Sequence, residues 1–399
     1  MIRPLSPTLA LAAALLLPAI SVAQRNRSED PGPAPPIERW LAEGEVEQIR
    51  WDLDIDDPLL RMDQRIEVFY TGRVRIQDLQ PIDADRELQV WNWIHDDDDT
   101  LVAESGPIRY AVGQGFPDGA EVEFYFNFYI APGRYTIRVL LHDEVSGRHN
   151  LRRESLNVNA PGNDPFPDAW SETPRVVFRR QASSLALPVK TARPVEIELI
   201  AALNSPESAT NERARSRYTA LATEALTALA ELDPARGSIV MTGLDMIQRE
   251  IRFEHADPNR IRGRRIAGAF ADSNPSSIGI GALAGRDQNP VFLKKFVEGR
   301  VEGRILDGRQ DQRIDVPLKA LIVLTGFTQF ADSADKTPVA FEGSCDCRVY
   351  LIRMRMSIRD VFDDVEKLLD PLASRTFNVL TPSDLRKAMG EIVRDLQRF

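Results

Sequence analysis

A proline-rich stretch at 160–174 (APGNDPFPDAWSETP) separates two parts of the chain whose apolar residues recur with different periods. Proline fixes φ and removes a backbone donor, and the stretch has few apolar residues, so it predicts an interdomain linker. A second charged, proline-rich stretch at 24–39 predicts a disordered tether. The two stretches divide the chain into one domain at 40–159 and another at 175–399.

The N-terminus has the pattern of a signal peptide at 1–23. Its apolar run, Leu9 to Ile20, is too short to span a bilayer, and Ser21-Val22-Ala23 places small residues before a cleavage site at Gln24. The alternative is an uncleaved membrane anchor. No later stretch approaches the roughly 18 continuous apolar residues of a transmembrane helix. We therefore expect an exported protein, periplasmic or secreted, with no membrane span in the mature chain.

Charge and rare residue types exclude several classes of function. The 399 residues include 50 Lys and Arg against 60 Asp and Glu, a net charge of −10. A sequence-independent nucleic-acid binder needs a concentrated basic surface, so no nucleic-acid partner is expected. With 4 His and 2 Cys, the chain has little material for a multi-histidine metal centre and none for a disulfide-built scaffold. We expect no cofactor.

The first segment has the alternation of half-buried β-strands. In Leu88–Ile94 the residues Leu88, Val90, Asn92 and Ile94 share one face, and Val122–Ile130 places every second apolar residue on one side. Strands of about 5–9 residues separated by Gly, Pro and Asp turns are typical of an antiparallel sandwich. The segment therefore predicts an all-β domain of immunoglobulin-like or fibronectin-like type.

Two features of this segment have both a binding and a packing interpretation. Trp91, Trp93, Tyr125 and Tyr129 lie on the strand faces opposite the expected core, so they form either an interaction stripe or further packing. The run Asp96–Asp99 is either a Ca²⁺ loop, because hard cations take carboxylates, or a solvated hairpin tip. We favour the hairpin tip.

The second segment alternates strands and helices. A strand at Val195–Leu203 is followed by a helix that extends to about Leu232, and Leu318–Leu324 (LKALIVL) is typical of a central strand covered on both faces. Thr381-Pro382-Ser383-Asp384 predicts the start of a final helix. This order predicts an α/β doubly wound domain with a mainly parallel sheet.

At 190–399 the chain resembles a von Willebrand factor A-type domain. The resemblance rests on the first strand with its helix, on the LKALIVL strand, and on Cys347–Arg353 followed by helix, short strand and DLRKAMGEIVRDLQ. The whole chain resembles bacterial secreted VWFA-related proteins, in which a β-sandwich often precedes the A-type domain. The resemblance implies a non-catalytic domain that binds other proteins.

The resemblance also implies a metal site, from which this sequence departs. The family's metal-ion-dependent adhesion site uses Asp-x-Ser-x-Ser after the first strand, a Thr, and an Asp after the fourth strand. Here the matching stretches read Asn204-Ser205-Pro206-Glu207-Ser208 and Leu324-Thr325-Gly326-Phe327, so both anchoring charges are missing. Because Mg²⁺ prefers charged oxygen ligands, we expect no metal site and expect Asn204 and Ser205 to cap a helix. The alternative is a Mg²⁺ or Ca²⁺ site with substitute ligands such as Glu207, Asp332 or Asp335.

Cys345-Asp346-Cys347 is the one cysteine motif of the sequence. Residues i and i+2 of a strand point the same way, so in an oxidising compartment Cys345 and Cys347 either close a local disulfide or remain thiols. A metal or redox site is disfavoured because no further Cys or nearby His joins the pair.

Motifs for catalysis are missing in the required context: a nucleophile elbow, a P-loop, a zinc-binding His pair and a Rossmann glycine set. We therefore predict no catalytic residues and a secreted or periplasmic, metal-independent protein-interaction (adhesion or scaffold) module. Its partner would be an extracytoplasmic protein, bound at a loop surface that contains Asn204, Ser205, Ser208 and Thr325. The alternatives are a metal-dependent adhesion domain and an unrecognised extracellular hydrolase.

Overall fold

The structure is a computed structural model of the chain. It describes residues 20–21, 35–79, 85–113, 119–172, 174–178, 185, 187–205, 209, 211–258, 260, 264–273, 286–302, 305–306, 317–326, 328, 337–338, 344–345, 347–356, 363–372 and 374–399. These residues form two compact units. The first contains residues up to Pro58 together with Val68–Phe128 and Gly133–Val158, and the second contains Leu59–Glu67, Tyr129–Pro132 and Asn159–Phe399.

The secondary structure of the described residues consists mainly of strands. The helices are α1 (Ile37–Glu43), α2 (Ala169–Glu172), α3 (Glu212–Leu229), α4 (Arg264–Asp272), α5 (Asn289–Val301), α6 (Asp364–Leu369) and α7 (Pro382–Leu396). The strands are β1 (Ile20–Ser21), β2 (Val46–Glu47), β3 (Trp51–Ile55), β4 (Leu59–Leu60), β5 (Ile66–Arg75), β6 (Arg86–Asp96), β7 (Leu101–Val112), β8 (Glu121–Ile130), β9 (Gly133–Asp143), β10 (His149–Val158), β11 (Val176–Phe178), β12 (Leu187–Val189), β13 (Val195–Ala202), β14 (Leu232–Pro234), β15 (Gly237–Asp245), β16 (Glu250–Ala256), β17 (Ile305–Leu306), β18 (Leu318–Gly326), β19 (Ser344–Cys345), β20 (Cys347–Met354) and β21 (Arg375–Val379).

Two sheets build the first unit. One has the order β2-β10-β9-β6-β7, and each of its pairings is antiparallel. The other follows the path β1-β8-β5-β3, with β3 antiparallel to β5. The sheets meet through their alternating apolar faces, as predicted for Leu88–Ile94 and Val122–Ile130: the Tyr110 and Phe124 rings lie 5.7 Å apart, and the Tyr70 hydroxyl donates to Asn92.

A short helix covers the outer face of the β10-β9-β6 sheet. Trp40 of α1 packs in one cluster with Trp91 and Trp93, which are 6% and 8% exposed, and its ring stacks on His149 with 4.2 Å between centroids. His142 lies beside the same ring, and burial lowers the pKa of both histidines. Trp91 and Trp93 therefore pack under α1.

The fold class predicted from the sequence is wrong. Strands make up 45% of the described residues and helices 28%, and several of the sheets are antiparallel, so this part of the chain is mostly antiparallel β structure. It is not a doubly wound α/β domain with a mainly parallel sheet. The physical reason is that hydrophobic periodicity reports which residues are buried but not the direction in which distant strands pair. Antiparallel neighbours such as β15 with β16 and β17 with β19 leave no periodic signal of their own.

Parallel pairing does occur in the largest sheet of the second unit. This six-stranded sheet has the order β16-β15-β13-β18-β20-β21; β13 pairs in parallel with β15 and β18, β20 does so with β18 and β21, and β16 is antiparallel at one edge. Its side chains enter two cores. One contains residues of α3, α4 and α7, and the other contains residues of α5 and α6.

The proline-rich stretch 160–174 is packed where an exposed interdomain linker was expected. Phe166 and Ala169 lie in the core of the second unit, 6% and 2% exposed. Asp164 accepts two hydrogen bonds from the guanidinium of Arg386 on α7, at 2.7 and 2.9 Å, and that guanidinium lies 4.7 Å from the Trp170 ring. The stretch thus belongs to the second unit, and its apolar residues Phe166 and Ala169 pack into the core of that unit.

The signal-peptide prediction falls almost wholly outside the described residues, which include only 20–21 of its 23 positions. The tether prediction at 24–39 is likewise outside them up to residue 34, and Ile37 begins α1. Among the helices of the described part, none is long and apolar enough to cross a membrane.

Candidate functional site

Four neighbouring strands of the six-stranded sheet carry polar side chains at their carboxyl ends, which lie along one side of the sheet; we call this side the carboxyl edge. Because β13, β15, β18 and β20 run in parallel and in register, Asn204, Asp245, Thr325 and Arg353 all follow or end buried strands on the same side. We call these four residues the carboxyl-edge cluster.

Asn204 ties three segments of the chain together. Its Nδ2 donates to Asp245 Oδ1 at 3.2 Å and to the carbonyl of Ser273 at 2.7 Å. Its Oδ1 accepts from the backbone N–H of Met246 at 2.5 Å and of Ile247 at 3.3 Å. The amide therefore uses both donor hydrogens and its acceptor within the protein.

Asp245 is fully buried and is surrounded by donors of the protein. Its Oδ1 accepts from the N–H groups of Ile247 and Gln248 at 3.1 and 2.9 Å. Its Oδ2 accepts twice from the Arg252 guanidinium, at 3.2 and 2.7 Å, and this hydrogen bond raises the pKa of Arg252. The buried carboxylate is thereby neutralised and holds the turn between β15 and β16.

The prediction that Asn204 and Ser205 cap a helix is wrong. The helix begins at Glu212, and Asn211 is its N-cap, accepting from the N–H of Ala214 at 2.9 Å. Ser205 is half-buried directly after Asn204, and Ser208 lies outside the described residues. The pattern Asn-Ser-Pro indicated a cap, but the Asn204 side chain forms hydrogen bonds with the distant residues Asp245 and Ser273 instead.

Thr325 belongs to a different network from Asn204. It is 2% exposed, its hydroxyl donates to the Gly326 carbonyl at 2.9 Å, and the Thr328 hydroxyl lies 3.4 Å away. The structure thus brings Asn204 and Thr325 to the same edge, but their side chains bond to different segments.

Arg353 neutralises a second buried carboxylate, that of Asp363, which is the N-cap of α6. Its guanidinium contacts Asp363 at 3.3 Å and Glu366 at 3.1 Å, and it donates to Asn378 Oδ1 at 2.7 Å. Asp363 caps α6 by accepting from the N–H of Val365. Burial raises the pKa of Asp363 to about 6, although the bonds from Val365 and Arg353 oppose the shift.

The donor set of the carboxyl-edge cluster does not fit a divalent cation. Mg²⁺ and Ca²⁺ require several oxygen atoms with free lone pairs. Here Asn204 directs an amide N–H₂ at Asp245, and the oxygens of Asp245 accept from two backbone N–H groups and one guanidinium. The proposed substitute ligands Glu207, Asp332 and Asp335 lie outside the described residues.

Asp245, Arg353 and Asp363 are not among the site residues predicted from the sequence. The signal was present for the first two, because each is a charged residue at the end of an apolar strand, SIVMTGLD and CRVYLIRM. Asp363 gave no comparable signal, since its burial depends on the packing of α6 against the sheet.

A second charged cluster, also missed, lies in the core beneath α5. Glu198 of β13 has no exposed side-chain surface; it contacts Lys319 Nζ at 2.9 Å and Arg300 Nε at 3.1 Å, and it accepts from the Thr242 hydroxyl at 3.0 Å. Lys319 lies within the near-continuous apolar run LKALIVL. The cluster attaches α5 to the sheet through a neutralised buried charge.

Cys347 is disulfide-bonded, and Cys345 is the one other cysteine of the chain. The side chain of Cys345 lies outside the described part, so the pairing of the two stays a prediction.

The two ambiguous features of the first unit are placed as follows. Asp96 accepts from the N–H groups of Asp98 and Thr100, which forms the turn between β6 and β7. The carboxylates of Asp96, Asp97 and Asp98 lie within 4.8 Å of one another, and nothing else at this turn points to a cation.

Tyr125 is 46% exposed and stacks on Phe69 at 5.8 Å between centroids.

Comparisons with known proteins give no family. No protein-family model matches the chain, and no curated protein matches it. Among solved structures, the sporulation control protein Spo0M from Bacillus subtilis is 17% identical, with 31% of this chain and 53% of that chain covered and a TM-score of 0.18. A family 123 glycoside hydrolase from Clostridium perfringens is 8% identical, with 86% and 88% covered and a TM-score of 0.25.

A glycosyl hydrolase family 2 member from Bacteroides cellulosilyticus is 10% identical, with 84% of this chain and 44% of that chain covered and a TM-score of 0.22. At such scores these likenesses carry no argument about fold or activity. They do not indicate a von Willebrand A domain, so that resemblance stays a prediction.

Proposed function

We propose that this chain is an exported, non-catalytic module that binds another protein without a metal ion, through the turn between β15 and β16. The proposal rests on one observation: buried side chains hold the backbone of this turn in place. Three successive N–H groups, of Met246, Ile247 and Gln248, donate to the side chains of Asn204 and Asp245. A loop that is ordered before binding loses little conformational entropy when a partner docks.

The residues beside this turn have the character of a recognition surface. Gln248 is exposed at its tip, Ile251 is 43% exposed on the edge strand β16, and the Arg252 side chain keeps 30% of its surface in solvent. An exposed aliphatic side chain next to an arginine held in one position suits a protein partner. Arg252 already neutralises Asp245, so the turn needs no cation for its order.

Export is the second part of the proposal. It rests on the signal-peptide pattern at 1–23 and is supported by the disulfide at Cys347, because structural disulfides persist mainly in oxidising compartments.

The test is chemical cross-linking and affinity capture from the envelope fraction of the source cell, with the full chain as bait, in EDTA and in Mg²⁺. We expect the same partner in both conditions, its loss with Ile251→Asp, and its retention with Leu101→Asp. Leu101 is a matched control because it is 47% exposed but belongs to the first unit. Capture that requires Mg²⁺, or that Ile251→Asp leaves unchanged, would contradict the proposal.

A further inference from the structure

Two histidines lie beneath the Trp40 ring of α1, on the outer face of the β2-β10-β9-β6-β7 sheet. His142 on β9 and His149 on β10 are directly opposite each other in the ladder. The Trp40 ring stacks on His149, with 4.2 Å between centroids and 17° between planes, and lies 5.0 Å from the His142 ring. His142 Nδ1 and His149 Nε2 are buried and have no hydrogen-bond partner among the described residues. The packing therefore suits two neutral imidazoles.

The helix α1 depends on this packing for its stability. It has seven residues, and isolated helices shorter than about 12–15 residues are marginal in water. Its N-cap, Pro36, supplies no side-chain cap hydrogen bond. The apolar cluster that holds α1 on the sheet consists of Ile37, Trp40 and Leu41 from the helix and Trp91, Trp93, Leu140 and Leu151 from the strands.

The acidic residue of α1 beside the rings is Glu43. Its carboxylate lies 3.9 Å from His149 Nε2, which is beyond hydrogen-bonding distance, and it accepts a hydrogen bond from Arg39 at 2.7 Å. The Glu43 side chain is also 40% exposed, so water screens its attraction for a charged ring. Glu43 therefore offsets little of the cost of a charge on His149.

The charged groups on the neighbouring strand segments are already engaged. They form the pairs Asp143–Arg86 at 2.7 Å, Glu47–Arg152 at 3.7 Å and Glu87–Arg109 at 2.9 Å, and Glu144 accepts from Gln89. The β6 residue opposite His142 is Gln89, which carries no charge. Protonation of both rings would therefore place two like charges directly opposite each other, an arrangement that destabilises a β-ladder.

The balance of these effects gives the direction of the response to acid. An indole face attracts a cation, and Glu43 acts in the same sense on His149. Burial outweighs both effects and lowers the pKa of the two histidines, and the pKa of His142 is lowered further by His149. A base whose pKa is lower in the closed state takes up its proton more readily when the site opens, so acid favours the open state.

We propose that α1 is an acid-released strap: when His142 and His149 take up protons, Trp40 leaves the sheet and the apolar face beneath it is uncovered. The sheet itself stays folded, because ten residue pairs join β9 to β10 and α1 contributes to none of them. This device lies in the first unit, and it goes beyond the metal-independent turn proposed above without depending on it.

The test is hydrogen exchange of the full chain, corrected for the intrinsic exchange rate, from about pH 7.5 to about pH 5. We expect the amides of α1 to lose protection below about pH 6.5 while those of β9 and β10 keep it, and we expect neutral pH to restore it. Because two protons enter, the equilibrium constant for opening should rise by up to about a hundredfold per pH unit in the native chain, and by at most about tenfold in His142→Phe or His149→Phe.

His95→Phe is the matched control. His95 is a buried histidine of the same unit whose pKa burial also lowers, but it lies opposite Leu101 at the far end of β6. Its substitution should leave the steep response of α1 unchanged.

Three results would overturn the proposal. The first is α1 amides that stay protected at about pH 5, and the second is a loss of protection in α1 and in β9 and β10 together, which would be unfolding of the unit. Both need only the native chain, so a variant that folds poorly does not leave the proposal undecided. The third is a double variant, His142→Phe with His149→Phe, whose α1 opens as steeply as that of the native chain.

Discussion

Substitution of Asn204 by alanine tests whether this side chain organises the carboxyl-edge cluster. The change removes two donated and two accepted hydrogen bonds. Asp245 keeps its bonds from Gln248 and Arg252, and Ile247 keeps its bond to Asp245. The losses therefore concentrate on the N–H of Met246 and on the carbonyl of Ser273.

Each unsatisfied buried polar group costs about 1–3 kcal/mol. Asn204 is half-buried, so water reaches part of the space that it leaves. We therefore expect Asn204→Ala to lower the free energy of unfolding of the second unit by about 2–3 kcal/mol. A role in capping a helix would give about 1 kcal/mol or less.

Asn211→Ala is the matched control, because Asn211 does cap α3 through a single bond to Ala214. It should cost about 1 kcal/mol. Urea unfolding followed by the helical circular-dichroism signal measures both variants, since the long helices α3, α5 and α7 belong to the second unit. An Asn204→Ala cost no larger than that of Asn211→Ala would refute the bonding role assigned to Asn204.

Three further predictions concern buried titratable groups. Glu198→Gln should cost about 3–5 kcal/mol in urea unfolding, because it removes the buried carboxylate that neutralises Lys319 and one of the two carboxylates that neutralise Arg300. Glu254→Gln should cost less than about 1 kcal/mol, because the Glu254 side chain is 47% exposed in its pair with Arg300; equal costs would contradict the assignment. Burial lowers the pKa of His149, so the unfolded chain binds the proton at a higher pH than the folded chain does, and the stability of the first unit should fall as the pH drops below about 6.5. His149→Phe should flatten this loss of stability in thermal melts, and a dependence of melting temperature on pH that the substitution leaves unchanged would contradict the prediction. The pKa of Asp363 is raised to about 6 from 3.8, so the folded chain holds the Asp363 proton more tightly than the unfolded chain does, and this contribution to stability is lost as the pH rises through the interval. Asp363→Asn retains an N-cap, so the variant should be more stable than the native chain by about 1–3 kcal/mol at pH 7 and equally stable near pH 4. A native chain that gains stability between about pH 4 and pH 6 would contradict this prediction.

Local signals predicted the elements whose ends are set by nearby residues. The predicted start of the final helix at Thr381-Pro382-Ser383-Asp384 is confirmed: Thr381 is the N-cap of α7, and the Asp384 carboxylate accepts from the N–H of Thr381. The central position of β18 was also visible in the apolar run LKALIVL. In the first case the hydrogen-bond partners lie within a few residues of each other, and in the second the position of the strand follows from the burial of its apolar residues.

Features that depend on distant partners were not predictable. Asp164 and Arg386 are 222 residues apart, and their bond turns an expected linker into a packed segment. Asn204 binds residues 41 to 69 positions away, which no cap pattern reports. The fold class was wrong for the same reason, because the pairing direction of strands is a tertiary property.

Calorimetric titration of the full chain with MgCl₂, MnCl₂ and CaCl₂ tests the central claim most directly, which is that the carboxyl-edge cluster is held by its own hydrogen bonds and needs no cation. Asn204 and Arg252 occupy the oxygens of Asp245 that a cation would use. We predict no saturable binding at concentrations up to about 1 mM, because protein donors already satisfy the charged oxygens that a cation would require. A saturable site tighter than this, abolished by Asn204→Ala and unchanged by Asn211→Ala, would contradict the account.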